Sequence, residues 1–117
     1  MKKVKDNMIK VDFDKYGTTY KIDMKGHALW NSIGNDIVCA ASSILCYTLA
    51  ENLQRLEKEG DICNLVCDIR EGDAHFEFEP GGYDSDNSDT AETVIFAVLT
   101  GFSLLESQFP NNITANV

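Results

Sequence analysis

The chain has 117 residues and a formal net charge of -9, from 10 basic and 19 acidic side chains. This length predicts one domain, 1–117, and 44% hydrophobic residues suffice for one core. The acidic balance argues against a nucleic-acid partner, because phosphates require a basic patch. No run of about 18 apolar residues predicts a membrane span, and the N-terminus lacks the apolar core of a signal peptide. We therefore expect a cytoplasmic protein without a membrane partner.

The four cysteines are expected to be reduced thiols, because no secretion signal is recognisable. Cys63 and Cys67 lie four residues apart in a predicted strand, about 13 Å at the usual rise, which is too far for a disulfide. The chain has no Cys-x-x-Cys pair, and its two histidines are far apart in sequence. We therefore expect no zinc or other metal site and no cofactor.

The first half of the chain predicts a hairpin followed by a long helix. Apolar residues alternate over 8–13 and again over 20–24, as in two half-buried strands. Residues 28–35 are expected to form a loop. Asp36 is a suitable N-cap for a helix over 37–59, where apolar residues recur every three or four positions.

The second half repeats this order. Strands are predicted at 62–69 and 75–79, and an acidic, mobile loop at 80–89. Asp89 and Glu92 predict a capping box for a helix over 90–108. Residues 111–117 are expected to form a frayed tail.

Together these elements predict an α+β fold in the order ββαββα. A two-layer arrangement, a four-stranded antiparallel sheet with two helices on one face, buries all the apolar stripes at once.

One cysteine combines two features that favour nucleophilic chemistry. Cys39 lies in the first turn of the predicted first helix, where the helix dipole favours a thiolate, and His27 precedes it by twelve residues. His27 can take the thiol proton, Asp36 can orient the imidazole, and Ser43 lies on the helical face of Cys39. Amide groups of the first helical turn can stabilise an oxyanion.

Other interpretations of Cys39 remain open on spacing alone. A cysteine in the first turn of an amphipathic helix is more often a small buried hydrophobe. The same groove could bind a peptide without cutting it. A redox sensor is disfavoured, because Cys46 lies about 10 Å further along the helix.

Two motifs in this region resemble the ribosomal-processing cysteine protease Prp family. They are Gly-His-Ala at 26–28 and Asp-Ile-Val-Cys-Ala-Ala at 36–41, with Ser43 two residues further on. The resemblance covers most of the chain and implies that Cys39 is the nucleophile and His27 its base. It also implies supporting roles in the active site for Asp36 and Ser43.

The resemblance further implies partners. The family removes a short N-terminal extension from a large-subunit ribosomal protein, and some relatives process phage capsid or scaffold proteins. Its members are homodimers in which a mobile loop carries the histidine. This chain has Leu29 and Trp30 where the family usually has glycine and tyrosine. These two residues and Ile33 are candidates for binding an apolar or aromatic stretch of substrate. Gly34 is counted among the substrate-binding residues and would also give the loop its freedom.

Overall fold

The computed structural model describes residues 8–26, 36–81 and 85–117, and at 36 and 85–88 only the backbone. The elements in chain order are β1 (Ile9–Tyr16), β2 (Thr19–Lys25), α1 (Asp36–Lys58), β3 (Ile62–Arg70), β4 (Asp73–Pro80), α2 (Ser85–Gln108) and β5 (Ile113–Asn116). The α+β class and the order of the first six elements follow the sequence prediction.

Within the described ranges, the sheet is mixed and has five strands in the order β3-β4-β2-β1-β5. β1 pairs antiparallel with β2, β2 with β4, and β4 with β3, whereas β5 runs parallel to β1. The predictions of a four-stranded, wholly antiparallel sheet and of a frayed tail at 111–117 were wrong. The tail is ordered because Ile113 is fully buried and because Ile9 N–H donates to Asn112 O at 2.9 Å.

The two helices cover one face of the sheet. Side chains alternate along each strand, so one face collects the apolar residues and the other the polar ones. Tyr20 and Phe78 stack with ring centroids 5.1 Å apart, and Phe13 meets Phe96 of α2 edge-on at 5.4 Å. The largest fully buried side chains come from strands and helices alike: Tyr20, Phe76, Phe78, Phe102, Ile22, Leu49, Leu53, Ile62, Ile95, Leu99 and Ile113.

α2 begins earlier than predicted. The segment expected to be a mobile loop up to residue 89 is already helical from Ser85. The acidic residues there suit a helix start, because the helix dipole is positive at that end. The capping box of Asp89 and Glu92 was also wrong: Asp89 lies inside the helix, and Glu92 accepts a hydrogen bond from the buried Tyr20 hydroxyl.

α2 is the one helix in the described ranges that is long and apolar enough to cross a membrane by length and composition alone. This holds for Asp89–Gln108, with a mean hydropathy of 1.2. A core helix of a soluble protein meets the same criterion. α2 does supply core residues, since Ile95, Leu99 and Phe102 are buried against the sheet.

β3 is irregular near its start. Its register against β4 shifts between Cys63 and Val66, and Asn64 has a φ of 56°. Asparagine tolerates this left-handed conformation better than most residues. The Leu65 N–H donates to Glu57 Oε2 of α1 at 3.1 Å, so the displaced amide is hydrogen-bonded.

His75 is bound between two carboxylates on the open face of the sheet. Its Nδ1 lies 2.7 Å from Asp23 Oδ1 on β2, and its Nε2 lies 2.8 Å from Glu77 Oε2. Lys21 approaches Glu77 at 4.0 Å, and Asp68 of β3 is paired in register with His75. The hydrogen bonds to Asp23 and Glu77 raise the pKa of His75 above its usual 6.5. Neither bond could be recognised from the sequence alone, because Asp23 lies on another strand and the rotamer of Glu77 is not readable from sequence.

This arrangement predicts a pH-dependent contribution of His75 to stability. Because the folded-state pKa is raised, the stabilisation is fully present below the unfolded pKa and is lost as pH rises through the folded pKa. The free energy of unfolding should therefore fall more for His75→Gln at about pH 5.5 than at about pH 8.5. Urea titration of both proteins at both pH values measures this. The prediction would be contradicted if the difference in free energy of unfolding between wild type and His75→Gln were the same at both pH values.

Candidate active site

The apolar stripe of α1 places Cys39 in the contact between helix and sheet. The buried positions of this helix recur at helical spacing: Val38, Cys39, Ser42, Cys46, Leu49, Ala50, Leu53 and Leu56. Cys39 is 3% exposed and is a thiol, as are the other three cysteines. Its side chain therefore lies on the buried side of the helix, not on the solvent side.

The position of Cys39 in the first turn agrees with the sequence prediction. α1 begins at Asp36, one residue earlier than the helix predicted to start at 37. Cys39 is thus the fourth helical residue and directly follows the first amides of the helix, which have no acceptor within it. The predicted contacts of the Asp36 side chain lie outside what the structure describes.

Five other predicted site residues also lie outside the described residues. They are His27, Leu29, Trp30, Ile33 and Gly34. Their roles as base and as substrate contacts stay predictions. Ser43, the remaining predicted residue, is half-buried on α1.

A cavity of about 390 Å³ begins one helical turn after Cys39. It lies between the first half of α1, the start of β1, the end of β2 and the β3–β4 turn. Ser43 lines it, and so does Gly26, the residue directly before His27. Among the described residues, the lining is formed by Ile9, Met24, Lys25, Gly26, Ser42, Ser43, Cys46, Tyr47, Ile69, Arg70, Glu71, Gly72, Asp73 and Ala74.

Gly26 anchors the chain where it leaves β2 toward His27. Its N–H donates to Gly72 O in the β3–β4 turn at 3.0 Å. Its φ is 134°, and a Cβ there would lie 2.5 Å from Met8 O and 2.8 Å from Ile9 Cα. Only glycine fits this conformation and this space, so the loop begins at a fixed point beside the cavity.

The environments of the three cysteines other than Cys39 indicate structural roles. Burial raises the pKa of the Cys46 thiol to about 11, with a smaller contribution from Cys67. Desolvation also raises the pKa of Cys67. The Cys63 thiol donates to Pro80 O at 3.6 Å. Across the described ranges, no three His, Cys, Asp or Glu residues form a group that could hold a metal ion.

Sequence reasoning missed most of the cavity. Ser42 and Cys46 follow Cys39 at three- and seven-residue spacing, so the helical period alone could have placed them beside it. The wall formed by residues 69–74 had no such signal, because only the sheet topology brings the β3–β4 turn to the start of α1.

The model of the family described as cysteine protease Prp matches residues 8–114. The chain belongs to the Prp family of cysteine proteases. It is accordingly an enzyme, a cysteine protease of a family that acts in ribosomal processing. Among curated proteins, no sequence matches this chain significantly.

Solved structures agree with this family assignment. The crystal structure of SMU.848 from Streptococcus mutans is 25% identical with a TM-score of 0.66, covering 96% of this chain and 95% of that one. The Prp of S. aureus bound to a covalently linked product peptide is 26% identical with a TM-score of 0.59, covering 93% and 98%. The same S. aureus protease with a substrate peptide, 22% identical with a TM-score of 0.66 and coverage of 93% and 98%, shares the fold.

The close approach at Gly26 predicts an unequal response to alanine at two glycines. Gly17 also has a positive φ, but a Cβ there would meet nothing within 4 Å. Gly17→Ala should therefore lower the free energy of unfolding by about 1 kcal/mol, because only the backbone conformation becomes unfavourable. Gly26→Ala should lower it by about 3 kcal/mol, because neighbouring backbone atoms must also move. Urea unfolding of both variants tests this, and equal losses would contradict the steric argument.

Proposed function

We propose that this Prp-family protease is a cysteine endopeptidase that uses Cys39 as nucleophile and His27 as base. The observation that carries the proposal is the position of Cys39: it lies in the first turn of α1, one turn before a cavity whose lining includes the residue preceding His27. The residue before the proposed base and the helix of the proposed nucleophile both line this cavity, which supports the proposal.

The chemistry follows from that position. His27 takes the proton of the Cys39 thiol, and the thiolate attacks a peptide carbonyl carbon. The peptide C–N bond then breaks, and the amine leaves with the proton from the imidazolium. Amide groups at the start of α1 stabilise the oxyanion, and water hydrolyses the thioester. In this scheme Asp36 and Ser43 support His27 and the substrate oxygen.

The proposed substrate is a ribosomal protein precursor with an N-terminal extension, and the proposed location is the cytoplasm. The S. aureus relative was crystallised with a substrate peptide and with a covalently linked product peptide, which supports a peptide substrate here. The net charge of -9 favours the basic residues of a ribosomal protein near the cut. A phage capsid or scaffold protein with a similar sequence is the alternative substrate.

The central prediction is that the protein removes a defined N-terminal fragment from the homologous ribosomal protein. Intact-mass spectrometry after incubation detects this fragment. Cys39→Ala should lower the cleavage rate by about a thousandfold or more, because the nucleophile is lost, and His27→Ala should lose most activity. Cys63→Ala, a matched change on β3, should cut like wild type.

Three results would separate the possibilities. Cleavage by Cys39→Ala at the wild-type rate would refute the role of Cys39 as nucleophile. Turnover by His27→Ala comparable with wild type would refute its role as base. If wild-type protein binds the ribosomal extension without cutting it, the chain is instead a peptide-binding module.

We also propose that the protein is a homodimer. α1 exposes a row of large apolar side chains at helical spacing, Ile37, Ile44 and Tyr47, and α2 exposes Phe96 and Leu104. Exposed apolar residues that cluster in this way are typical of protein–protein contacts. A second copy of the chain would cover them.

The dimer proposal predicts different effects of aspartate at two exposed positions. Ile44 is 64% exposed on α1, and Val66 is 45% exposed on the open face of the sheet. Ile44→Asp should shift the protein toward monomer, because a charge at a covered apolar contact is costly to desolvate. Val66→Asp should leave the mass unchanged. Light scattering during gel filtration measures both, and an unchanged dimer with Ile44→Asp would place the interface elsewhere.

A further inference from the structure

We propose that the cavity beside Cys39 is a specificity subsite for one substrate side chain. Ser42 makes it select an uncharged side chain that combines an apolar body with a hydrogen-bonding group, as in tyrosine or glutamine. This inference rests on the proposed endopeptidase function and adds to it the side-chain class that the enzyme prefers near the cut.

The position of the cavity connects it to the reaction. Ser42 and Ser43 follow Cys39 by one helical turn, a rise of about 5 Å, and both line the cavity. Gly26 lines it from another side, with its N–H bonded to Gly72 O. A peptide bond held at Cys39 would therefore place a neighbouring side chain within reach of the cavity.

The buried residues among the described lining of the cavity are mostly apolar and carry no charge. Ile9, Met24, Ile69 and Ala74 contribute hydrocarbon surface from four strands or turns. Cys46 stays a neutral thiol at physiological pH because burial raises its pKa to about 11. An apolar body is therefore favoured in this space, at roughly 25 cal/mol per Å² of surface removed from water.

The rim does not select a charged side chain. Two basic and two acidic residues line it and balance one another: Lys25, Arg70, Glu71 and Asp73. Lys25 and Asp73 are partners in the register of β2 and β4, and Arg70 and Asp73 are partners in the register of β3 and β4. These four residues together carry no net charge that would favour a substrate group of one sign.

The Ser42 hydroxyl is the group that selects a hydrogen-bonding side chain. It is 5% exposed, and its Oγ has no hydrogen-bond partner in the part of the chain that the structure describes. A buried hydroxyl without a hydrogen-bond partner is energetically unfavourable. A substrate group that bonds to it therefore contributes more binding free energy than an ordinary hydrogen bond would. Rotation about χ1 moves a serine hydroxyl between staggered positions, which lets it turn toward a bound side chain.

The test compares matched peptides that differ by one hydrogen-bonding group. Each residue around the cut of the ribosomal extension is replaced in turn by phenylalanine or tyrosine, and by methionine or glutamine. At one position, wild type should prefer the hydrogen-bonding member by about tenfold or more in kcat/KM. Ser42→Ala should reduce this preference to about twofold or less, while peptides varied elsewhere keep their ranking.

Two controls distinguish recognition from a structural role. Ser107→Ala removes an exposed hydroxyl of α2, bonded to Leu104 O, and should leave the preference unchanged. Ser42→Ala should leave the urea midpoint of the free protein unchanged or raised, because an unpartnered buried hydroxyl is lost. A lowered midpoint with an unchanged preference would show that Ser42 serves the fold, and would overturn the inference.

Binding measurements separate this inference from the proposed function. Calorimetry with Cys39→Ala, alone and combined with Ser42→Ala, reports the same preference without cleavage. A Ser42-dependent preference in binding, with no cleavage by wild type, would support the subsite and refute the endopeptidase. Cleavage without such a preference at any position would refute the subsite alone. Failure to bind any of the peptides would refute both.

Discussion

The packing of α1 on the sheet is the constraint on which the rest of the site depends. Its buried stripe runs from Val38 to Leu56 without a break in helical spacing, and Cys39 is part of that stripe. The apolar residues that hold the helix in place therefore also set the direction of the thiol. A rotation of α1 that exposed Cys39 would bring Leu49 and Leu53 into water, a loss of about 2 kcal/mol for each side chain.

The same packing direction explains the location of the cavity. α1 runs antiparallel to β3, since a tight turn at Gly60 connects its end to the start of that strand. Its start must then lie near the end of β3 and the β3–β4 turn. There Gly72 O accepts the N–H of Gly26, which ties the beginning of the histidine-bearing segment to the same corner. Three segments distant in sequence thus meet at the cavity, one helical turn from Cys39.

Local sequence patterns predicted most of the helices and strands, whereas features that depend on non-local contacts were missed. The alternation in β1 to β4 and the stripe of α1 are strong because each spans many residues. β5 was missed because Ile113 and Ala115 are only two inward residues, and their burial depends on pairing with β1, about a hundred residues away. Likewise, Glu92 suits a capping box by spacing, but the Tyr20 hydroxyl, 72 residues away, binds it instead. The position of Cys39 in the first turn of α1 was predictable because it depends on local sequence alone, whereas the cavity wall depends on topology.

The irregular start of β3 affects how another chain can approach the molecule. β3 is an edge strand, and a regular edge strand exposes unpaired backbone groups to which a further strand can hydrogen-bond. Near the start of β3, Asn64 is left-handed and the Leu65 N–H is already bonded to the Glu57 carboxylate. Both features disrupt the regular row of backbone groups that a further strand would need. Strand-by-strand polymerisation through this side is thereby discouraged. The more regular part of this edge lies at the other end of β3, next to the β3–β4 turn that lines the cavity.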